Sequence, residues 1–149
     1  MSLQTSYYAN QILSIARGTK NGVHSNAKPL YLLAIIKGVD DGVLMGNKLE
    51  FNEALNRLYL GMCSLYEPKV SVTPFFKPFF HMKSESFYVI KWKSGTGPVH
   101  ATHTPSAKFL RENVEYAALD DDLWTLLQDV QIRNEFKEAI IKHYIKQNN

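Results

Sequence analysis

Residues Leu30 to Val39 read Leu-Tyr-Leu-Leu-Ala-Ile-Ile-Lys-Gly-Val, an apolar run with one charged residue, Lys37. Its length exceeds a typical strand, and Pro29 ahead of it suits the first turn of a helix, where a missing N–H costs nothing. Asp40-Asp41-Gly42 then supplies a stop. A helix from Leu30 to about Asp40 would be apolar almost all round, and such a helix has no face to give to water. It must lie at the centre of a fold, and the remaining chain must supply a shell around it.

Candidates for that shell follow from periodicity. Thr5 or Ser6 can cap a first helix reaching about Arg17, which Gly18 stops. The stretch from Gly18 to Lys28 is rich in Gly, Asn and Lys and reads as an exposed loop. Asn47 to Phe51 reads as a short strand. Phe51, Ala54, Leu55, Leu58, Tyr59, Met62, Leu65 and Tyr66 recur at helical spacing, and Pro68 closes that helix. Phe79 to Met82 and Phe87 to Trp92 flank a Lys-Ser-Glu-Ser turn and predict an antiparallel hairpin. Thr104-Pro105-Ser106 opens a helix carrying Phe109, Leu110 and Val114, and Asp120 to Asp122 and Asp129 cap two more. We find no repeat and no linker. The expected fold is α+β: one mainly helical domain over residues 1–149, with a small antiparallel hairpin. Helix, short strand, helix and hairpin is a winged-helix-like order, here with helical additions at both ends.

Several chemistries are excluded. The longest apolar run, Leu30 to Ile36, falls far short of the roughly 20 residues that span a bilayer. Cys63 is the only cysteine, so no intramolecular disulfide or cysteine-based zinc site can form, and a reducing cytoplasm is the expected compartment. Its neighbours Leu60, Met62 and Leu65 give Cys63 a packing role. Neither a nucleophile elbow nor a phosphate loop is present. His100 and His103 lie between Pro98 and Pro105 in a loop without Cys or carboxylate, a poor start for a metal site. No catalytic residue, metal or cofactor is expected.

Charge is distributed unevenly. The net charge is +3, yet Lys69 to Lys108 holds six lysines and three histidines against one acid, Glu85. From Phe109 onward eight acids face five bases. A cationic middle and an anionic tail suit a chain that turns one face to a polyanion, although lysines also fill ordinary exposed loops. Lysines interleaved with Phe75, Phe76, Phe79 and Phe80 are materials for clamping a nucleic-acid backbone. At least two of those four rings are expected in the core.

Three ordered motifs carry a resemblance. Lys28-Pro29-Leu-Tyr-Leu-Leu-Ala-Ile-Ile, Asn47-Lys-Leu-Glu-Phe and Lys77-Pro78-Phe79-Phe80-His81-Met82 resemble the sulfur-binding domain of phosphorothioate-dependent, HNH-type restriction endonucleases. The likeness continues through Ala118-Leu-Asp-Asp-Asp-Leu-Trp-Thr-Leu-Leu to Arg133 and covers about Lys28 to Ile145. It implies a bacterial restriction or defence protein that binds duplex DNA, with a shallow apolar pocket for a backbone sulfur beside cationic contacts. Lys28, Pro29 and Pro78 match the family pattern, while Ala27, Lys77 and His81 depart from it and make the pocket more polar. The modification expected is a phosphorothioate or another backbone or DNA mark. The chain ends at Asn149 without an HNH domain, so cleavage is expected from a nuclease domain or subunit elsewhere. The expected DNA-contacting residues are Lys28, Pro29, Lys77, Pro78, Phe79, His81, Lys83, His100, His103 and Lys108. A protein-interaction or scaffold domain that kept the fold and lost the DNA pocket is the alternative; an enzyme acting alone ranks third.

Overall fold

The apolar run forms a helix, α2 (Ala27–Asp40), in which Ala27, every residue from Pro29 to Ile36 and Gly38 are buried. The structure, a computed structural model, describes residues 2–95 and 104–145, the side chain of Lys20 excepted. Around α2 are arranged α1 (Leu3–Ile12), a two-stranded ribbon of β1 (Thr19–Lys20) and β2 (Val23–His24), α3 (Glu53–Tyr66) and the short α4 (Phe76–His81). Beyond α4 come a single 3-10 turn (Met82–Ser84), β3 (Tyr88–Trp92), α5 (Ala107–Asn113), β4 (Val114–Leu119), α6 (Asp121–Leu126) and α7 (Val130–Ile140), which ends in a π-helical turn. The fold is α+β and mainly helical, as the sequence predicts. Its buried residues form one contiguous cluster centred on α2. No helix among the described residues is long and apolar enough to cross a membrane.

Gly38 lets the side chains of Leu44 and of Leu58 on α3 pack closely against α2. A Cβ at Gly38 would meet Leu44 Cδ1 at 2.7 Å and Leu58 Cδ1 at 3.0 Å. α3 keeps the helical stripe read from the sequence, with Leu55, Tyr59 and Cys63 buried and Asn52 capping its start through Leu55 N–H.

Several expectations need correction, each for a physical reason. The hairpin over residues 79–82 and 87–92 does not form, because Phe76–His81 is helical. Pro78 is the third residue of that helix, where the backbone N–H has no intrahelical acceptor, whereas a strand would have lost a ladder bond there. β3 pairs instead with β4, antiparallel, Tyr88 opposite Leu119 and Ile90 opposite Ala117, with an irregularity between Lys91 and Trp92. Val114 therefore opens a strand rather than riding on a helix. The strand expected over Asn47 to Phe51 reduces to one bridge, Leu49 with Ala117. Asn47 extends it by bonding both the N–H and the C=O of Leu119 through its side-chain amide.

The first helix starts at Leu3 with Ser2 as its cap and ends at Ile12, well before Arg17. The Tyr144 hydroxyl ends it: it donates to the Ile12 carbonyl and accepts from the Ile15 N–H (3.1 Å), taking two groups that another turn would need. Finally, the loop from Gly18 to Lys28 contains the β1–β2 ribbon, turned at Asn21 (φ 54°) and Gly22 (φ 78°), two left-handed residues that suit a two-residue hairpin. Of the acidic trio, Asp120 sits at the start of α6 but spends its carboxylate on the Tyr8 hydroxyl at 2.9 Å rather than on a cap. Asp129 does cap α7, through Gln131 and Ile132 N–H.

Candidate functional site

The start of α2 and the end of α4 meet on one side of the molecule. α4 is amphipathic over six residues: Pro78, Phe79 and Phe80 are buried, while Lys77 and His81 are exposed. The 3-10 turn that follows buries Met82 and leaves Lys83 and Ser84 outside. Lys28, one residue into α2, reaches across to this turn and donates to Ser84 Oγ and Glu85 Oε2, each at 3.0 Å.

What places α2 is a buried polar knot. Asn26, only 3% exposed, accepts from Arg17 Nη1 (2.9 Å) and donates to Glu67 Oε2 (2.8 Å) and the Tyr144 carbonyl (3.3 Å). The Arg17 guanidinium also stacks 4.8 Å from the Tyr144 ring centroid. One side chain thus ties the ribbon's approach, the end of α3 and the C-terminal turn to the start of α2, two residues before Lys28. A buried amide with its bonds made is costly to displace, so the start of α2 is held firmly.

Electrostatics mark His81 as the focus. Burial and then the charges of Lys28, Lys83 and Lys77, in that order, hold its imidazole below the usual value of 6.5. Three lysines from two separated stretches therefore act on one ring. Its Nε2 is 2.6 Å from Thr104 Oγ1, and its ring meets Phe80 edge-on. Lys83 Nζ lies 4.9 Å from the centroid of Phe80.

Glu85 is the acid that opposes this charge, and it is already engaged. Its Oε2 receives Lys28, the Ser84 hydroxyl (3.1 Å) and the Ala16 N–H (3.3 Å). The Lys28 and Glu85 side chains are 13% and 11% exposed, so this is a largely sheltered pair. Neither Lys77 nor Lys83 makes an ion pair among the described residues. With Lys28 matched to Glu85, the face keeps the charges of Lys77 and Lys83 unmatched, beside an imidazole able to take up a proton. Such a face can hold an anion.

The expected contact residues thus divide. Lys28, Lys77, His81 and Lys83 come together. Pro29 and Pro78 are buried and support that face from beneath. Phe79 is a correction: it is 0% exposed and locked between Phe51, Phe75 and Tyr31, with no surface for a ligand. Phe75 and Phe80 are buried too. Lys108 stands on α5, exposed and 3.9 Å from Glu112. His100 and His103 lie outside the described residues. Sequence reasoning missed Thr104 as the partner of His81 and Glu85 as the partner of Lys28. Only the lone acid in a run of six lysines hinted at the second.

Fold and site together define a mainly helical α+β domain with a cationic face at the junction of two helices. No family model matches the chain, and no curated protein matches it in sequence. Among solved structures it is similar to the sulfur-binding domain of ScoMcrA complexed with phosphorothioated DNA. The TM-score is 0.72 at 12% sequence identity, over 95% of this chain and 89% of that one. At that identity the likeness is one of fold.

Proposed function

We propose that this chain is a DNA-binding domain that holds the backbone of a duplex against the face formed by Lys77, His81 and Lys83. The observation that carries the reading is the gathering of three lysines around His81, on a fold shared with a domain solved bound to phosphorothioated DNA. Backbone phosphates are the natural ligand for unmatched lysines, and they supply most of the affinity in nucleic-acid binding. Lys28 contributes through its place beside His81 while paired with Glu85.

A phosphorothioate is an anion like a phosphate, with a larger and less hydrated sulfur. Lys77 and His81 give the site polar walls, so discrimination between the two should be modest, with the buried Phe80 and Pro78 behind them as the apolar element. The setting we propose is a restriction or defence system in which this domain recognises DNA and a nuclease domain or subunit cuts it.

An electrophoretic mobility titration with plain and phosphorothioated duplexes of one sequence tests this. Both should shift at low salt, and affinity should fall steeply as salt rises, with a log–log slope of about −0.9 per phosphate neutralised. No shift of either duplex at low salt ends the proposal.

A further inference from the structure

Beside the cationic face lies a cleft of about 1010 Å³ that the backbone contacts do not use. One wall is the β1–β2 ribbon; the other is the segment from Glu67 to Pro74 that follows α3. Its volume is at the upper end of ligand sites, and far larger than a backbone contact needs. It runs into the face already described, because Lys77 lines both.

The chemistry of the walls is mixed in a specific way. Val23, Val70 and Val72 are 61%, 57% and 49% exposed, and all three line this one cleft from two separate segments. Exposed valines on facing walls are poorly hydrated and favour a flat apolar occupant. Tyr66 adds an aromatic ring, Lys69 and Lys77 bring positive charge, and Glu67 contributes a carboxylate. An apolar slot with cations at its edge and an acceptor within it matches a nucleotide: ring between the valines, phosphate toward the lysines, exocyclic amine toward the carboxylate. Tyr59 keeps the second wall in place by donating its hydroxyl to the Thr73 carbonyl at 2.6 Å.

We propose that the cleft between the β1–β2 ribbon and residues 67–74 takes one unstacked nucleotide of the bound DNA strand. This rests on the DNA-binding reading, since Lys77 would carry the strand from the backbone face into the cleft. A nucleotide held there has left the base stack, so duplexes that are already unpaired at that position should bind better.

The test uses the full chain and end-labelled duplexes, matched or carrying one mismatch at successive positions, with anisotropy to read binding. A mismatch at one position should tighten binding about tenfold. The Val70→Trp variant, which obstructs the slot between the valines, should lose that preference while binding the matched duplex within about threefold of the parent chain. Equal affinity for matched and mismatched duplexes overturns the inference and leaves the DNA-binding reading intact. Should no duplex bind, titration with deoxynucleoside monophosphates followed by NMR separates the remaining cases. Saturable binding lost in Val70→Trp keeps the cleft as a nucleotide site with a free nucleotide as its occupant, and sinks the DNA reading. No binding of either kind overturns both.

Discussion

The inner and outer faces of residues 75–85 are two regions built by one short stretch of chain, and they follow opposite rules. Inside, Phe75 stacks on Phe51 with ring centroids 5.3 Å apart, and Phe79 meets Phe51, Tyr31 and Tyr88. The Tyr88 hydroxyl donates to the Phe79 carbonyl (2.7 Å) and pairs with the Tyr31 hydroxyl (3.1 Å). Among the described residues no buried side-chain polar atom lacks a partner. Outside, Lys77 and Lys83 carry charge that no acid among the described residues neutralises. The inner face is satisfied by the fold itself; the outer face leaves the charges of Lys77 and Lys83 to the solvent side. That asymmetry separates structure from function here more cleanly than composition does.

Breaking the inner face should have the largest effect. Phe79→Ala is expected to lower stability by about 3–5 kcal/mol, read from chemical denaturation, because the ring has no exposed surface and the aromatic cluster cannot close over the void. Leu33→Ala, at the centre of α2, should fall by a few kcal/mol, about the range for buried leucine. A loss under about 1 kcal/mol in either case would mean that the cluster does not anchor α4.

Lys28 stands at the boundary. Lys28→Ala should cost about 1–3 kcal/mol of stability, since it strands a sheltered Glu85 carboxylate, and adding Glu85→Gln should restore most of it. An unchanged denaturation midpoint in the single variant would return Lys28 to the outer class.

Changes wholly on the outer face should leave stability within about 0.5 kcal/mol. Lys77→Ala and Lys83→Ala are each expected to weaken duplex binding about tenfold and to reduce the salt slope by about 1, measured by anisotropy at several salt concentrations. A loss of affinity that is independent of salt would contradict a backbone contact.

The smallest effect concerns His81 and pH. Its folded pKa lies below 6.5, so as acidity increases the unfolded chain takes up the proton first. The stability it contributes is complete above that value and is lost as pH falls from 6.5 toward the folded pKa. DNA binding should run the other way, because a nearby phosphate favours the imidazolium. Between about pH 7.5 and pH 5.5 the free domain should melt slightly lower while its DNA affinity rises, and His81→Gln should flatten both trends.

The centre of the fold was legible because burial writes itself into sequence. α2 has no polar face, and α3 has a clean helical stripe, so both were readable as elements and as core. The sequence predicts a strand over residues 79–82, where the structure has a helix, because apolar aromatic runs do not distinguish a strand from a short buried helix. The position of Pro78 after Phe75 and Phe76 was the signal that favoured a helix. β4 was missed although Val114, Ala117 and Leu119 are buried while Glu115 is exposed, because the helix caps on either side claimed its residues. At the candidate site Lys77, His81 and Lys83 were readable from the basic, aromatic stretch. The inward turn of Phe79 was not, nor was the pairing of Lys28 with a residue 57 positions away.

The sequence by itself determined which segments must be buried and that the middle of the chain is cationic, because hydrophobicity and charge are properties of each residue. Only the tertiary structure decided which cation meets an acid, which phenylalanine faces inward, and that a ribbon and a distant loop wall one cleft. Those depend on contacts between residues far apart in the chain, and no local pattern encodes a partner that the chain has yet to fold against.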